Sequence, residues 1–199
     1  MRNGLIYIIA NWTIEKVKYL NLVELFKWIT KKIIPNDTLL ASRLGVDIFI
    51  LLKWLAVGIF WSLQLNSQFI NKITWYLIAS NLYTYFYYHN WTRDLEKGNF
   101  DLDRIKRRFL NLMLAIAFNI FCFAYFFAVP FATNYNWTEG ISRFHESISF
   151  SVANFLTIDY SPVKTLSNVG HSLTLIETLT AFIFLTIILS NSIPQIKDK

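Results

Sequence analysis

Two acidic side chains stand where a carboxylate is costly to keep. Asp159 sits in the run Thr157-Ile158-Asp159-Tyr160-Ser161, and Glu177 is the lone acid of the apolar stretch 173–193. An acid inside a membrane segment is a functional candidate by default. Carboxylates gathered around an axis attract cations and reject anions. Asp159 lies in the connection between two apolar stretches, where its side chain either points inward or turns back to hydrogen-bond the segment before it. Glu177 has the same choice between facing a water-filled cavity and tying two helices together. His145 and His171 read as exposed polar residues at a membrane edge, since no second metal ligand lies at helical spacing from either. Cys122 is the sole cysteine, which excludes an internal disulfide and a cysteine metal cluster. His-Glu-x-x-His, nucleophile-elbow and phosphate-loop patterns are missing. No enzyme activity and no cofactor is expected.

The elements that must position these acids follow from composition. Of 199 residues, 54% are hydrophobic and 16% charged, where a soluble domain carries about 25% charged. Mean hydropathy is +0.37. A membrane-crossing helix needs roughly 20 apolar residues. Segments 46–65, 69–89, 109–132 and 173–193 qualify, with Asp47 at the edge of the first and Lys53, Lys72 and Glu177 as the other charges within them. Lipid leaves them no structure but helix. Lys53, roughly 10 Å into its segment at 1.5 Å per residue, is placed to snorkel to the surface; a pair with Glu177 is the other reading. The net charge of +6 is explained by topology. Fifteen Lys and Arg lie before the first span, between the second and third, or in the tail, and Lys72, Arg143 and Lys164 lie on the other side. That bias puts both termini in the cytoplasm. It leaves no motif for nucleic acid.

The connection between the third and fourth spans is too long for a hairpin and too apolar for a plain loop. Residues 143–156 read as a short helix with Ile148, Val152 and Phe155 on one face. Followed by extended chain, it has the form of a re-entrant loop, which membranes accept only where protein or water encloses it. Phe150-Ser151, the run 157–161 and Val169-Gly170-His171-Ser172-Leu173 together resemble the two-transmembrane potassium channel pore family over roughly residues 105–193. Phe150-Ser151 matches the family's pore helix. Thr157, Ile158, Asp159, Tyr160 and Ser161 fall on its filter signature Thr-Val-Gly-Tyr-Gly, and Gly170 opens its inner helix. Ala181 falls where many members carry a gating glycine, and Glu177 joins it as a pore-lining or gating candidate. Asp159 and Ser161 replace the two filter glycines, and Pro162 replaces the Asp that follows.

The resemblance implies an all-α integral membrane protein with four transmembrane helices. A pore helix and filter lie between the third and fourth, and four copies form the pore. It implies a homotetrameric cation channel in the cell membrane that passes K+ and/or Na+. Since glycines let filter backbone adopt conformations that other residues resist, weak selectivity is expected; the alternative is a channel-derived scaffold that does not conduct. The chain divides into an N-terminal segment 1–45, a helical hairpin 46–89, a basic linker 90–108, the pore domain 109–193 and a tail 194–199. Within the first segment, Leu20, Val23, Phe26, Ile29 and Ile33 recur at helical spacing, with Glu24, Lys27 and Lys31 opposite. This helix either lies on the bilayer or packs on a partner. Span two lacks the recurring Arg and Lys of a voltage sensor, so gating is expected from the N-terminal helix, the basic linker, the membrane or another protein.

Overall fold

The computed structural model describes residues 4–91 and 102–192. Most of the basic linker (Arg93 and Lys97 among it) and the tail with Lys197 and Lys199 lie outside the described residues. Seven α-helices account for most of the rest: α1 (Leu5–Val17), α2 (Leu22–Ile33), α3 (Thr38–Ser62), α4 (Gln68–Phe86), α5 (Leu102–Ala128), α6 (Arg143–Phe155) and α7 (Asn168–Ser192). Two short strands, β1 (Tyr135–Asn136) and β2 (Lys164–Thr165), pair antiparallel with Tyr135 opposite Thr165.

The helix starts are set by local chemistry. Asn21 Oδ1 accepts from the Val23 N–H at 3.1 Å, Asp37 Oδ1 from the Leu40 N–H at 2.8 Å, and Ser67 Oγ from the Ile70 N–H at 3.2 Å. Each side chain satisfies one orphan donor of a first helical turn. Asp37 also explains why α3 begins eight residues before the expected span: the cap lets Thr38–Gly45 join the helix.

Three helices are long and apolar enough to cross a membrane among the described residues: Thr38–Ser62, Lys106–Ala128 and Asn168–Ile188. They correspond to the first, third and fourth expected spans. The second is a helix as expected, but its Asn71, Lys72, Thr74, Ser80, Asn81 and Thr84 make it less apolar. Several of those polar groups are turned inward. Asn81 Nδ2 donates to Ala115 O at 3.0 Å and to Asn119 Oδ1 at 3.3 Å, and Tyr85 OH donates to Asn111 O at 2.6 Å. Polar side chains that bond across helices hold them together where no hydrophobic force acts between them.

The chain forms two compact parts, Met1–Ala56 and Val57–Lys199. In the first, α2 packs on the opening turns of α3, with the Phe26 and Phe49 rings 5.5 Å apart. Lys27 bonds Glu24 at 2.8 Å, as the charge pattern predicts, while Ile29 and Ile33 remain exposed. Lys53 is buried, its Nζ 6.0 Å from the Phe49 ring, rather than extended to the surface. In the second part α5 is the hub. Phe118, Phe123, Tyr125, Phe126 and Phe127 are fully buried along it. Trp75 meets Phe126 at 4.9 Å and Trp61 meets Phe121 at 5.0 Å. Tyr125 OH donates to Leu65 O at 2.6 Å and ties the turn after α3 to this core.

Gly45 marks the closest approach of α2 and α3. A Cβ there would stand 2.7 Å from Thr30 Oγ1 and 2.9 Å from Lys27 backbone atoms. Gly58, on the same helix, faces open space. Gly45→Ala should therefore destabilise by about 1–3 kcal/mol through overpacking, while Gly58→Ala should be neutral or slightly stabilising. Thermal unfolding of both variants in detergent checks the contrast.

Candidate functional site

The site is built on α6, a 13-residue helix buried by small and polar side chains. Glu146, Ser147, Phe150, Ser151 and Ala153 form its buried face, while Val152 is exposed. The apolar face expected from the sequence is thus not the face that packs inward. Small residues let α6 lie close to α5, the usual solution for helices in lipid. Phe150 is the anchor, with its ring 5.0 Å from Phe127 and 5.6 Å from Tyr135.

The end of α6 sets the direction of the chain beyond it. The Thr157 N–H donates to Asn154 O at 3.0 Å and the Ile158 N–H to Ala153 O at 2.8 Å. This is the Schellman pattern, which usually places glycine in the left-handed position. Here Thr157 occupies it with φ 57°, an outlying conformation for a β-branched residue. The turn delivers the five residues singled out in the sequence as one continuous segment. Thr157, Ile158, Asp159 and Ser161 are exposed in the single chain, and Tyr160 is half-buried with its ring 6.4 Å from Phe150. Of the two roles open to Asp159, a hydrogen bond back to α6 is not formed; among the described residues its carboxylate has no partner.

Three ties hold the far end of this segment. Thr138 Oγ1 donates to Pro162 O at 3.0 Å, and the Thr138 N–H lies 3.2 Å from the buried carboxylate of Glu146. Leu166 N–H donates to Asn134 O at 2.8 Å beside the β1–β2 pair. Tyr135 OH donates to Gly170 O at 2.9 Å. Burial raises the Tyr135 phenol above the ordinary tyrosine range, so it stays a neutral donor at physiological pH. Gly170 is required where α7 passes the loop: a Cβ there would lie 2.8 Å from Asn134 O.

Glu177 supplies the tie beneath. It is fully buried. Ser151 Oγ donates to its Oε1, and Asn154 Nδ2 donates to its Oε2 at 3.0 Å. Ser151 Oγ also lies 2.9 Å from Ile120 O, so one hydroxyl joins α5, α6 and α7. Of the two roles the sequence left open for Glu177, the structure shows the bond between helices. Ala181, one turn on, is buried on the same side of α7. Both candidates therefore face the chain's own interior. The exposed side of α7 carries Leu175, Leu179 and Phe182 instead. His145 and His171 are exposed as expected, with Thr165 Oγ1 3.0 Å from His171 Nε2. The sequence reading missed Asn154, Thr138 and Glu146. Ser151 and Asn154 stand at i, i+3 and so share a helix face, which was the available signal for Asn154.

The chain matches no family model, no curated protein and no solved structure.

Two stability measurements test this construction. Glu177→Leu strands the Asn154 amide and should cost about 1–3 kcal/mol, whereas Glu177→Gln keeps an acceptor and should cost less. Thr157→Gly should stabilise by up to about 1 kcal/mol, because a left-handed residue with a Cβ carries about 1–2 kcal/mol of strain and glycine's added chain entropy offsets part of the relief. Chemical denaturation in detergent reads both.

Proposed function

We propose that this chain is one subunit of a homotetrameric cation channel in the cell membrane, with residues 157–161 of four copies surrounding the ion path. The observation that carries this reading is a largely exposed, non-helical segment at the end of a half-length helix, braced from behind by Glu177, Tyr135 and Thr138 and presenting an Asp159 without a partner among the described residues. In lipid such backbone persists only against protein or water. A face left uncovered by its own chain, on a segment braced at both ends, suits contact with further copies around a water-filled axis. Four helices cross the bilayer in this reading, α4 among them through its inward polar bonds to α5. Both termini lie in the cytoplasm, following the charge bias.

The channel discriminates weakly between K+ and Na+. A tight potassium filter aims backbone carbonyls at a dehydrated ion, and glycine is what usually permits that backbone. Asp159 and Ser161 stand at those two positions, and Thr157 already occupies a left-handed turn. Asp159 carboxylates then supply cation preference by charge. The same substitutions favour one other reading, a scaffold descended from such a channel that no longer conducts.

Bilayer recordings of the purified protein, with KCl on one side and NaCl on the other, test the proposal. A reversal potential near zero is expected. One near the potassium equilibrium value would overturn the weak selectivity, and no conductance at all would favour the scaffold. Asp159→Asn should reduce unitary conductance and cation-over-anion preference in a channel, and should change nothing in a scaffold.

A further inference from the structure

A groove of about 440 Å³ opens beside α6, away from residues 157–161. Its walls include Gly58, Trp61 and Gln64 from α3 and the turn after it, Phe121 from α5, and Arg143 and Phe144 from the start of α6. The volume is in the range of small-molecule sites. Its chemistry is divided along its length. Trp61 lies 5.0 Å from Phe121 and 4.6 Å from Phe144, which makes an aromatic wall. Phe121 lies seven residues before the end of α5, so that wall reaches roughly 10 Å below the helix end at 1.5 Å per residue. At the other end stands Arg143, exposed and without an acidic partner among the described residues. No acidic residue lines the groove.

We propose that this groove holds one anionic phospholipid, with an acyl chain along Trp61, Phe121 and Phe144 and the phosphate at Arg143. Two features of the groove select this occupant. α3 and α5 are candidate membrane spans, their final turns line the groove, and Arg143 follows the end of α5 in the chain. A ligand that fits must be apolar at depth and negative at the surface. The guanidinium meets a phosphate through charge-assisted, paired hydrogen bonds. Gly58 leaves the floor open: a Cβ there would meet nothing within 4 Å, so packing does not demand glycine. That space is available to an acyl chain.

The full-length protein, delipidated in mild detergent, can be titrated with dioleoyl phosphatidylglycerol or dioleoyl phosphatidylcholine and read by native mass spectrometry. One phosphatidylglycerol per chain is expected, with about tenfold preference over phosphatidylcholine for one charge-assisted contact at the surface. Arg143→Gln should abolish that preference and Arg143→Lys should keep most of it. Gly58→Phe fills the groove and should weaken both lipids, with an unfolding midpoint like the parent's. Equal binding of the two lipids by the parent, or an unchanged preference in Arg143→Gln, overturns the proposal. So does displacement of lipid by soluble glycerol phosphate at similar concentration, which would mark a site for free anions. A Gly58→Phe variant that binds lipid normally but changes the number of chains in the particle would assign the groove to a second copy and would overturn it too.

Discussion

Extended backbone cannot be left in hydrocarbon, because each unmatched N–H or C=O there costs several kcal/mol. In the proposed re-entrant position the segment after α6 would meet this constraint, because it is tied at both ends. At its start, two N–H groups are returned to Ala153 and Asn154 by the turn at Thr157. At its end, Pro162 O and the Leu166 N–H find Thr138 and Asn134. Between them lies the stretch in which Asp159 is exposed, and Tyr160 O accepts from the Val163 N–H at 3.2 Å. Its position depends on α6, and α6 is fixed to α7 through Glu177. A shift of α7 cannot leave α6 in place without breaking the bonds from Ser151 and Asn154. The position of α7 and the geometry of residues 157–161 are thus mechanically joined.

That joint explains why a carboxylate is kept at so unfavourable a place. A buried acid is tolerated when its oxygens are matched, and here each oxygen has its own donor. An apolar residue there would leave the Asn154 amide of α6 without its acceptor, and the Ser151 hydroxyl with Ile120 O alone. The acid and its donors make sense only together. Between α4 and α5 the match is incomplete: Asn81 Nδ2 donates to the buried Asn119 Oδ1, while Asn119 Nδ2 has no partner among the described residues.

The parts of the fold that lipid dictates were legible in the sequence. Apolar length marked α3, α5 and α7, and the short helix at 143–156 matches Arg143–Phe155 closely. The parts that depend on which face turns inward were not. Ile148 and Val152 mark an apolar face, and in a soluble protein that face would be buried; here Ser147 and Ser151 take its place and Val152 is exposed. In lipid an apolar surface gains little from being covered by protein, so close fit and hydrogen bonds decide. α2 shows the same ambiguity. Val23 and Phe26 pack on α3, while Ile29 and Ile33, at the same spacing, do not. The lone Glu177 was visible as unusual, but its role rests on donors that come from a helix more than twenty residues earlier, and single-chain spacing carries no trace of that contact.

Glycine is scarce in this chain, with six residues in 199, and the scarcity shapes how its helices meet. Membrane helices commonly approach through small residues. Among the described residues glycine serves this way at two crowded places, Gly45 against α2 and Gly170 against Asn134, while Ser147, Ser151 and Ala153 do so along α6. Elsewhere aromatic rings set the spacing, as along Phe123, Phe126 and Phe127, and paired polar groups set the register. The end of α6 is where this solution meets its limit. A left-handed turn is required there, no glycine is available, and Thr157 adopts the conformation under strain. Strain of this kind persists only when the surroundings enforce it. The enforcing contacts are the two returning N–H groups and the hold of Asn154 on Glu177. Local backbone geometry at residue 157 and long-range packing against α7 are therefore one problem, solved by the same few side chains.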